Sequence, residues 1–138
     1  MNDRKVNERL TVAYQIKPED VADIAARGFT TIICNRPDGE EPGQPSVAEI
    51  KAAAEKNGLD FLHIPTTSGQ FSDEVVSNFR AARQNSAGPV FAYCRTGTRC
   101  ITLDALANPD GKSPDEIISA AAAAGYDLSP LRDRIAAG

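Results

Sequence analysis

The sequence predicts an α/β domain of three layers, with a mostly parallel sheet of four or five strands between helices. Two observations predict it. Short, β-branched apolar runs alternate along the chain with amphipathic stretches that open on capping residues. The last such run, Pro89-Val90-Phe91-Ala92-Tyr93, passes through a tight turn directly into a helical pattern, as parallel strands followed by crossover helices do.

The elements follow in order. Leu10-Thr11-Val12-Ala13 reads as the first strand. Pro18 opens a helix, Glu19 and Asp20 complement its dipole, Val21, Ile24 and Ala25 form its apolar face, and Gly28 ends it. Thr30-Thr31-Ile32-Ile33-Cys34 is a buried strand. A turn-rich loop spans Asn35 to Pro45. Ser46 and Glu49 form a capping box for a helix that runs to Gly58. Phe61-Leu62-His63-Ile64 is the third strand, stopped by Pro65. Ser72, Asp73 and Glu74 start a helix whose core face is Val75, Val76, Phe79 and Ala82. The fourth strand ends at Cys94, and the next helix covers Arg99 to Leu106. Asn108-Pro109-Asp110-Gly111 is a turn, Ser113 to Glu116 a second capping box, and Ser129-Pro130 caps a short last helix.

A chain of 138 residues with 41% hydrophobic content reads as a single domain, residues 1–138, with an ordinary core. Net charge of −4 argues against nucleic-acid or anionic-membrane partners. Met1-Asn2-Asp3-Arg4-Lys5 lacks an apolar signal core, and no run approaches membrane-span length. Cys34, Cys94 and Cys100 do not read as a disulfide framework, so a reducing cytoplasm is the expected compartment. No Cys-x-x-Cys ligand pair and no Gly-x-x-x-x-Gly-Lys run occurs, so neither a metal nor a cofactor is expected.

The chemistry concentrates in Cys94-Arg95-Thr96-Gly97-Thr98-Arg99. A cysteine at a strand end, ahead of a helix start, meets unpaired N–H groups and the positive end of a helix dipole. That setting favours the thiolate, which makes Cys94 the expected nucleophile. Arg95, Thr96, Gly97 and Thr98 form the expected anion-binding loop, Gly97 permits its curvature, and Arg99 offers a two-pronged cation. Arg36 and Asp38 are either a substrate-facing pair or parts of a rigid turn. His63 is either a partner for Cys94 or a structural histidine on the sheet. Cys100 is either a resolving thiol for Cys94 or a small core side chain.

The loop Cys-x-x-Gly-x-Arg resembles the active-site loop of rhodanese-type sulfurtransferases. It also resembles the Cys-x-x-Gly-x-x-Arg loop of cysteine phosphatases, shortened by one residue, so that Cys100 falls where the phosphatase arginine stands. Over roughly residues 8 to 135, the chain resembles the phosphatase-like domain of bacterial beta-lactamase-hydrolase-like proteins. The resemblance is carried by Asn35 to Pro45, His63-Ile64-Pro65, Cys94 to Arg99 and Gly125-Tyr126-Asp127-Leu128. It implies a dual-specificity-phosphatase-like fold, rhodanese-like or phosphatase-like activity, and association with a persulfide dioxygenase. The chain departs from that pattern with Tyr93 in place of the histidine before the cysteine and Cys100 in place of the serine after the arginine.

Two arguments lean towards sulfur transfer through a Cys94 persulfide, with a small sulfur-containing anion or low-molecular-weight persulfide as donor. A shorter loop suits a single sulfur better than a phosphoryl group. The Thr66-Thr67-Ser68-Gly69-Gln70 loop lacks the carboxylate that protonates a leaving oxygen. Hydrolysis of a phosphate ester through a phosphocysteine is the alternative, and an anion-binding or redox-sensing module the third reading.

Overall fold

The computed structural model describes residues 1–138. Five strands form one sheet in the order β1-β2-β5-β3-β4, with β1 at Asp3–Asn7, β2 at Leu10–Ala13, β3 at Thr31–Cys34, β4 at Asp60–His63 and β5 at Val90–Tyr93. Strands β2, β5, β3 and β4 are mutually parallel, and β1 pairs antiparallel with β2. Six α-helices cover the sheet: α1 (Val21–Ala26), α2 (Val47–Lys56), α3 (Asp73–Asn85), α4 (Thr98–Ala107), α5 (Pro114–Ala123) and α6 (Arg132–Ala137).

The alternation of side chains along each strand divides the core into two layers. Ile33, Val90, Ala92 and Cys94 pack on α3, α4 and α5. Ile32, Cys34, Phe91 and Tyr93 face α1 and α2 on the other side. Local sequence explains the helix starts. Ser46 Oγ accepts the amide of Glu49 at 3.1 Å while Glu49 Oε1 accepts the amide of Ser46 at 3.4 Å. Ser113 and Glu116 repeat this at the start of α5, and Ser72 Oγ accepts the amide of Val75 ahead of α3.

The register places the site. Ala13 pairs with Tyr93, and Cys34 pairs with Tyr93 on the other side, so β2, β3 and β5 end level. Gln15, Asn35-Arg36 and Cys94 therefore emerge at one carboxyl rim, where parallel sheets carry their ligands.

Two details differ from the sequence expectation. Asp3–Asn7 forms the antiparallel edge strand, although its only strongly apolar residue is Val6, which packs on the core. An edge strand needs one buried side chain and a partner backbone, not an apolar run. The segment opened by Pro18 is a 3₁₀ turn, Pro18–Asp20, before α1 begins at Val21; the closing segment likewise starts with a 3₁₀ turn at Ser129–Leu131. No helix is long and apolar enough to cross a membrane.

Candidate active site

Strand β5 delivers Cys94 to the rim, and Gly97 turns the chain into α4. Gly97 has φ of 85°, a left-handed conformation that side chains resist, and it stands at the N-cap of the helix. The first helical bond runs from the Ile101 amide to the Gly97 carbonyl. The amides ahead of it are free of helix bonding, as at any helix start. The Gly97 amide donates to Cys94 Sγ at 3.2 Å.

The Cys94 thiol is lowered from its ordinary value to about 5. The largest contribution is a hydrogen bond from the Cys100 thiol; burial opposes it, and the amides of Cys100, Thr96 and Arg99 reinforce it. Cys100 itself is pushed well above the ordinary thiol value, first by burial and then by its bond to Cys94. The pair thus holds a thiolate at residue 94 and a protonated donor at residue 100. All three cysteines are free thiols.

Arg99 is buried, with only 5% exposure. Its Nη1 donates to Glu40 Oε2 at 2.8 Å and to the Thr66 carbonyl at 3.0 Å, and its Nη2 donates to Glu40 Oε1 at 2.9 Å. Glu40 Oε1 also accepts Arg36 Nε at 2.7 Å. Arg36 is fully buried, and its remaining prongs reach Gln15 at 3.0 Å and Glu41 at 3.0 Å. Sharing two guanidinium groups, with the Arg99 hydrogen bond dominant, draws the Glu40 carboxyl down to about 2.

The other residues singled out in the sequence take distinct places. Arg95 is exposed at the rim, its Nη2 4.0 Å from Glu41 Oε2. The hydroxyls of Thr96 and Thr98 pair with each other at 3.1 Å. Asp38 accepts the amide of Val47 at 2.8 Å and so holds the start of α2, while Arg36 turns inward; the two do not form a pair. His63 lies on edge strand β4 and donates through Nε2 to the Arg36 carbonyl at 3.0 Å, with no contact to Cys94. Tyr93 points to the opposite layer from Cys94, beside Cys34, and burial holds its phenol far above its ordinary value. Asn35 Nδ2 donates to the Ile64 carbonyl at 2.8 Å and ties the arginine-bearing loop to the neighbouring strand end.

Glu40, Gln15, Thr66 and Tyr126 complete the surroundings, and sequence reading gave none of them a role. Glu40 and Arg99 are 59 positions apart, a pairing that no local pattern signals. The one available signal was the charge-rich Asn35–Pro45 loop itself. A cleft of about 490 Å³ opens over the loop, lined by Arg95, Thr96, Thr98 and Arg99 together with Ser68, Gly69, Phe71, Leu128 and Leu131. Asp127 also lines it, and hydrogen bonds from Ser129 keep that carboxyl below its ordinary value.

Residues 2–111 match the family described as beta-lactamase hydrolase-like protein, phosphatase-like domain. A beta-lactamase hydrolase-like protein of Agrobacterium fabrum is 42% identical over 102 residues, covering 74% of this chain and 24% of that protein. A Xylella fastidiosa protein of the same name is 35% identical over 125 residues, covering 89% of this chain and 29% of that protein. The chain thus spans about a quarter of the length of the curated relatives it matches. Among solved structures, a Neisseria meningitidis protein named as a phosphatase candidate superposes with a TM-score of 0.83 at 42% identity, covering 96% of this chain and 94% of that one. PTPMT1 shares the fold with a TM-score of 0.74 at 14% identity, covering 98% and 96%.

These findings overturn the expectation of sulfur transfer: the family is described as phosphatase-like, and the solved structure at 42% identity is named for a phosphatase. Loop length does not set the size of this cradle, for a physical reason. Beyond the residues between cysteine and arginine, the amides of Arg99 and Cys100, in the first turn of α4, also serve the sulfur. Removing one loop residue therefore does not reduce the cradle to a single-atom site. The chain belongs to the phosphatase-like domain family of beta-lactamase hydrolase-like proteins.

Proposed function

We propose that this domain hydrolyses phosphate monoesters through a phosphocysteine at Cys94. The observation that carries the reading is the Cys94 sulfur, its pKa lowered to about 5 by the Cys100 thiol and the amides around the start of α4, with the Gly97 amide donating to it at 3.2 Å. The thiolate attacks phosphorus, the bond from phosphorus to the ester oxygen breaks, and the leaving alkoxide or phenoxide departs. Water then attacks the phosphocysteine, breaks its phosphorus–sulfur bond, and releases inorganic phosphate and the thiolate. Backbone amides and the Arg99 guanidinium stabilise the charge that builds on the equatorial oxygens.

Cys94 is 1% exposed, so attack requires the rim to part around the incoming phosphate. Arg99 is the arm that changes partner: its Nη groups rest on the Glu40 carboxylate, whose charge a phosphate reproduces. Phe71, Leu128 and Leu131 in the lining of the cleft suit a flat apolar leaving group. Asp127, the one carboxylate lining the cleft, is held ionised and is a poor proton donor. Aryl phosphates, whose leaving groups depart without protonation, are therefore the preferred substrates.

The test is turnover of a series of aryl and alkyl phosphates by the wild-type chain and by Cys94→Ser. The reading expects kcat/KM to fall steeply as the leaving-group pKa rises, with activity lost in Cys94→Ser. Turnover that survives the substitution, or no turnover of any ester, contradicts it.

A further inference from the structure

We propose that Tyr126 is a positioning residue that aims the loop amide at the Cys94 sulfur, an inference that rests on the phosphatase reading of the same site. Tyr126 lies beyond the matched residues 2–111 and outside the loop itself. Its hydroxyl donates to the Thr96 carbonyl at 2.7 Å. The amide on the other side of that same peptide unit, that of Gly97, donates to Cys94 Sγ at 3.2 Å.

A trans peptide is planar, and its carbonyl and N–H point in opposite directions. Every peptide bond of the chain is trans. Anchoring the Thr96 carbonyl on Tyr126 therefore fixes the direction of the Gly97 N–H. A flip of this one unit turns a carbonyl oxygen towards the thiolate in place of a donor. Polarising the carbonyl also strengthens the N–H as a donor, since hydrogen bonds in series reinforce each other. The preceding peptide is anchored in the same way by backbone alone: the Arg95 carbonyl accepts the Gln15 amide at 3.3 Å. Tyr126 supplies from a side chain what the segment after β2 supplies from its main chain.

The packing leaves no slack. A Cβ on Gly97 would overlap the Tyr126 hydroxyl and would also touch Val12, at 3.5 Å. Gly97 is thus required twice, for its left-handed backbone and for the approach of this phenol.

The ionisable groups around the sulfur are Cys100 and Arg99 on α4, Cys34 on β3 and Tyr126 itself; Glu40 acts through Arg99. None of them except Tyr126 is altered by Tyr126→Phe. The experiment measures the pH dependence of iodoacetamide alkylation at Cys94 in the wild-type chain and in Tyr126→Phe, beside aryl phosphate turnover. The expected result is an alkylation midpoint about one pH unit higher in Tyr126→Phe, and kcat/KM lower by roughly ten- to a hundredfold, as for loss of one aimed donor. A thermal melt controls for folding, since loss of packing alone does not move the alkylation midpoint. An unchanged midpoint in a folded variant overturns the proposal. A raised midpoint with no phosphate-ester turnover in the wild type keeps the positioning role and defeats the phosphatase reading instead.

Should Tyr126→Phe fail to fold, Gly97→Ala reads the same contact from the other side. Its Cβ displaces the phenol, which burial holds at about 12 in the wild type. With the phenol off the Thr96 carbonyl, the Cys94 alkylation midpoint of Gly97→Ala is then expected to rise by about one pH unit. An unchanged midpoint in folded Gly97→Ala overturns the proposal.

Discussion

At the scale of the residue, Cys94 is defined by its neighbours. Its sulfur is almost fully buried, and burial alone raises a thiol's pKa; the Cys100 thiol and converging amides reverse that and bring it to about 5. Replacing Cys100 separates the two contributions. Cys100→Ser keeps a donor hydroxyl and is expected to hold the alkylation midpoint within about half a unit. Cys100→Ala removes the donor and is expected to raise the midpoint by about one unit or more. Equal midpoints in the two variants contradict a donor role for residue 100. The lowered thiol also links to stability. A folded value of about 5 against an ordinary 9.0 contributes stability that is present above the ordinary value and lost as pH falls through 5. Urea titrations are thus expected to show the wild-type advantage over Cys94→Ser growing between pH 5 and 9, by at most about 1.4 kcal/mol per pH unit. A constant difference across that range contradicts a thiolate in the fold.

At the scale of the element, the strand–loop–helix step from β5 to α4 was legible because three local signals coincide in one stretch: an apolar run, a glycine, and a helical pattern after it. The helix starts at Ser46 and Ser113 were legible for the same reason, since a capping box closes within three residues. The bonds across the site were not. Arg36, Glu40 and Arg99 meet only after two strands and two helices have formed, and a glutamate in a turn-rich loop carries no mark of that. Arg36 read as a loop charge and is in fact fully buried. Glu40→Gln leaves the buried Arg99 without its carboxylate and Arg36 with Glu41 alone, and is expected to cost about 1–3 kcal/mol in urea denaturation. The wild-type contribution is present above the ordinary carboxyl value of 4.5 and is lost as pH falls through about 2. The two proteins are therefore expected to converge in stability towards pH 2. A second buried ion cluster ties α3 to α4: Arg83 donates to Asp104 at 2.7 Å and to Asp110 at 2.6 Å. Arg83→Ala strands Asp104 without its cation and is expected to cost about 3–5 kcal/mol by the same denaturation; a loss below about 1 kcal/mol contradicts that role.

At the scale of the whole molecule, the chain's alternation of strand and helix was enough to give a parallel sheet with both faces covered. It could not give β1, because an edge strand of polar residues is held by backbone bonds to β2, by Val6 on the core and by the distant Arg27, which donates to Asp3 at 2.8 Å. The level ends of β2, β3 and β5 bring together parts of the chain as distant as Gln15, Arg36 and Cys94. Neither the loop length nor the missing carboxylate after β4 revealed that the cradle borrows amides from α4, and this is why chemistry was harder to read than topology. The central claim is a covalent phosphoryl group on Cys94. Rapid acid quench of the wild-type chain during turnover of an aryl phosphate, followed by intact mass and peptide mapping, tests it most directly. A mass gain of one phosphoryl group on the Cys94 peptide, absent in Cys94→Ser, is the expected result; turnover with no adduct on that peptide at any quench time contradicts it.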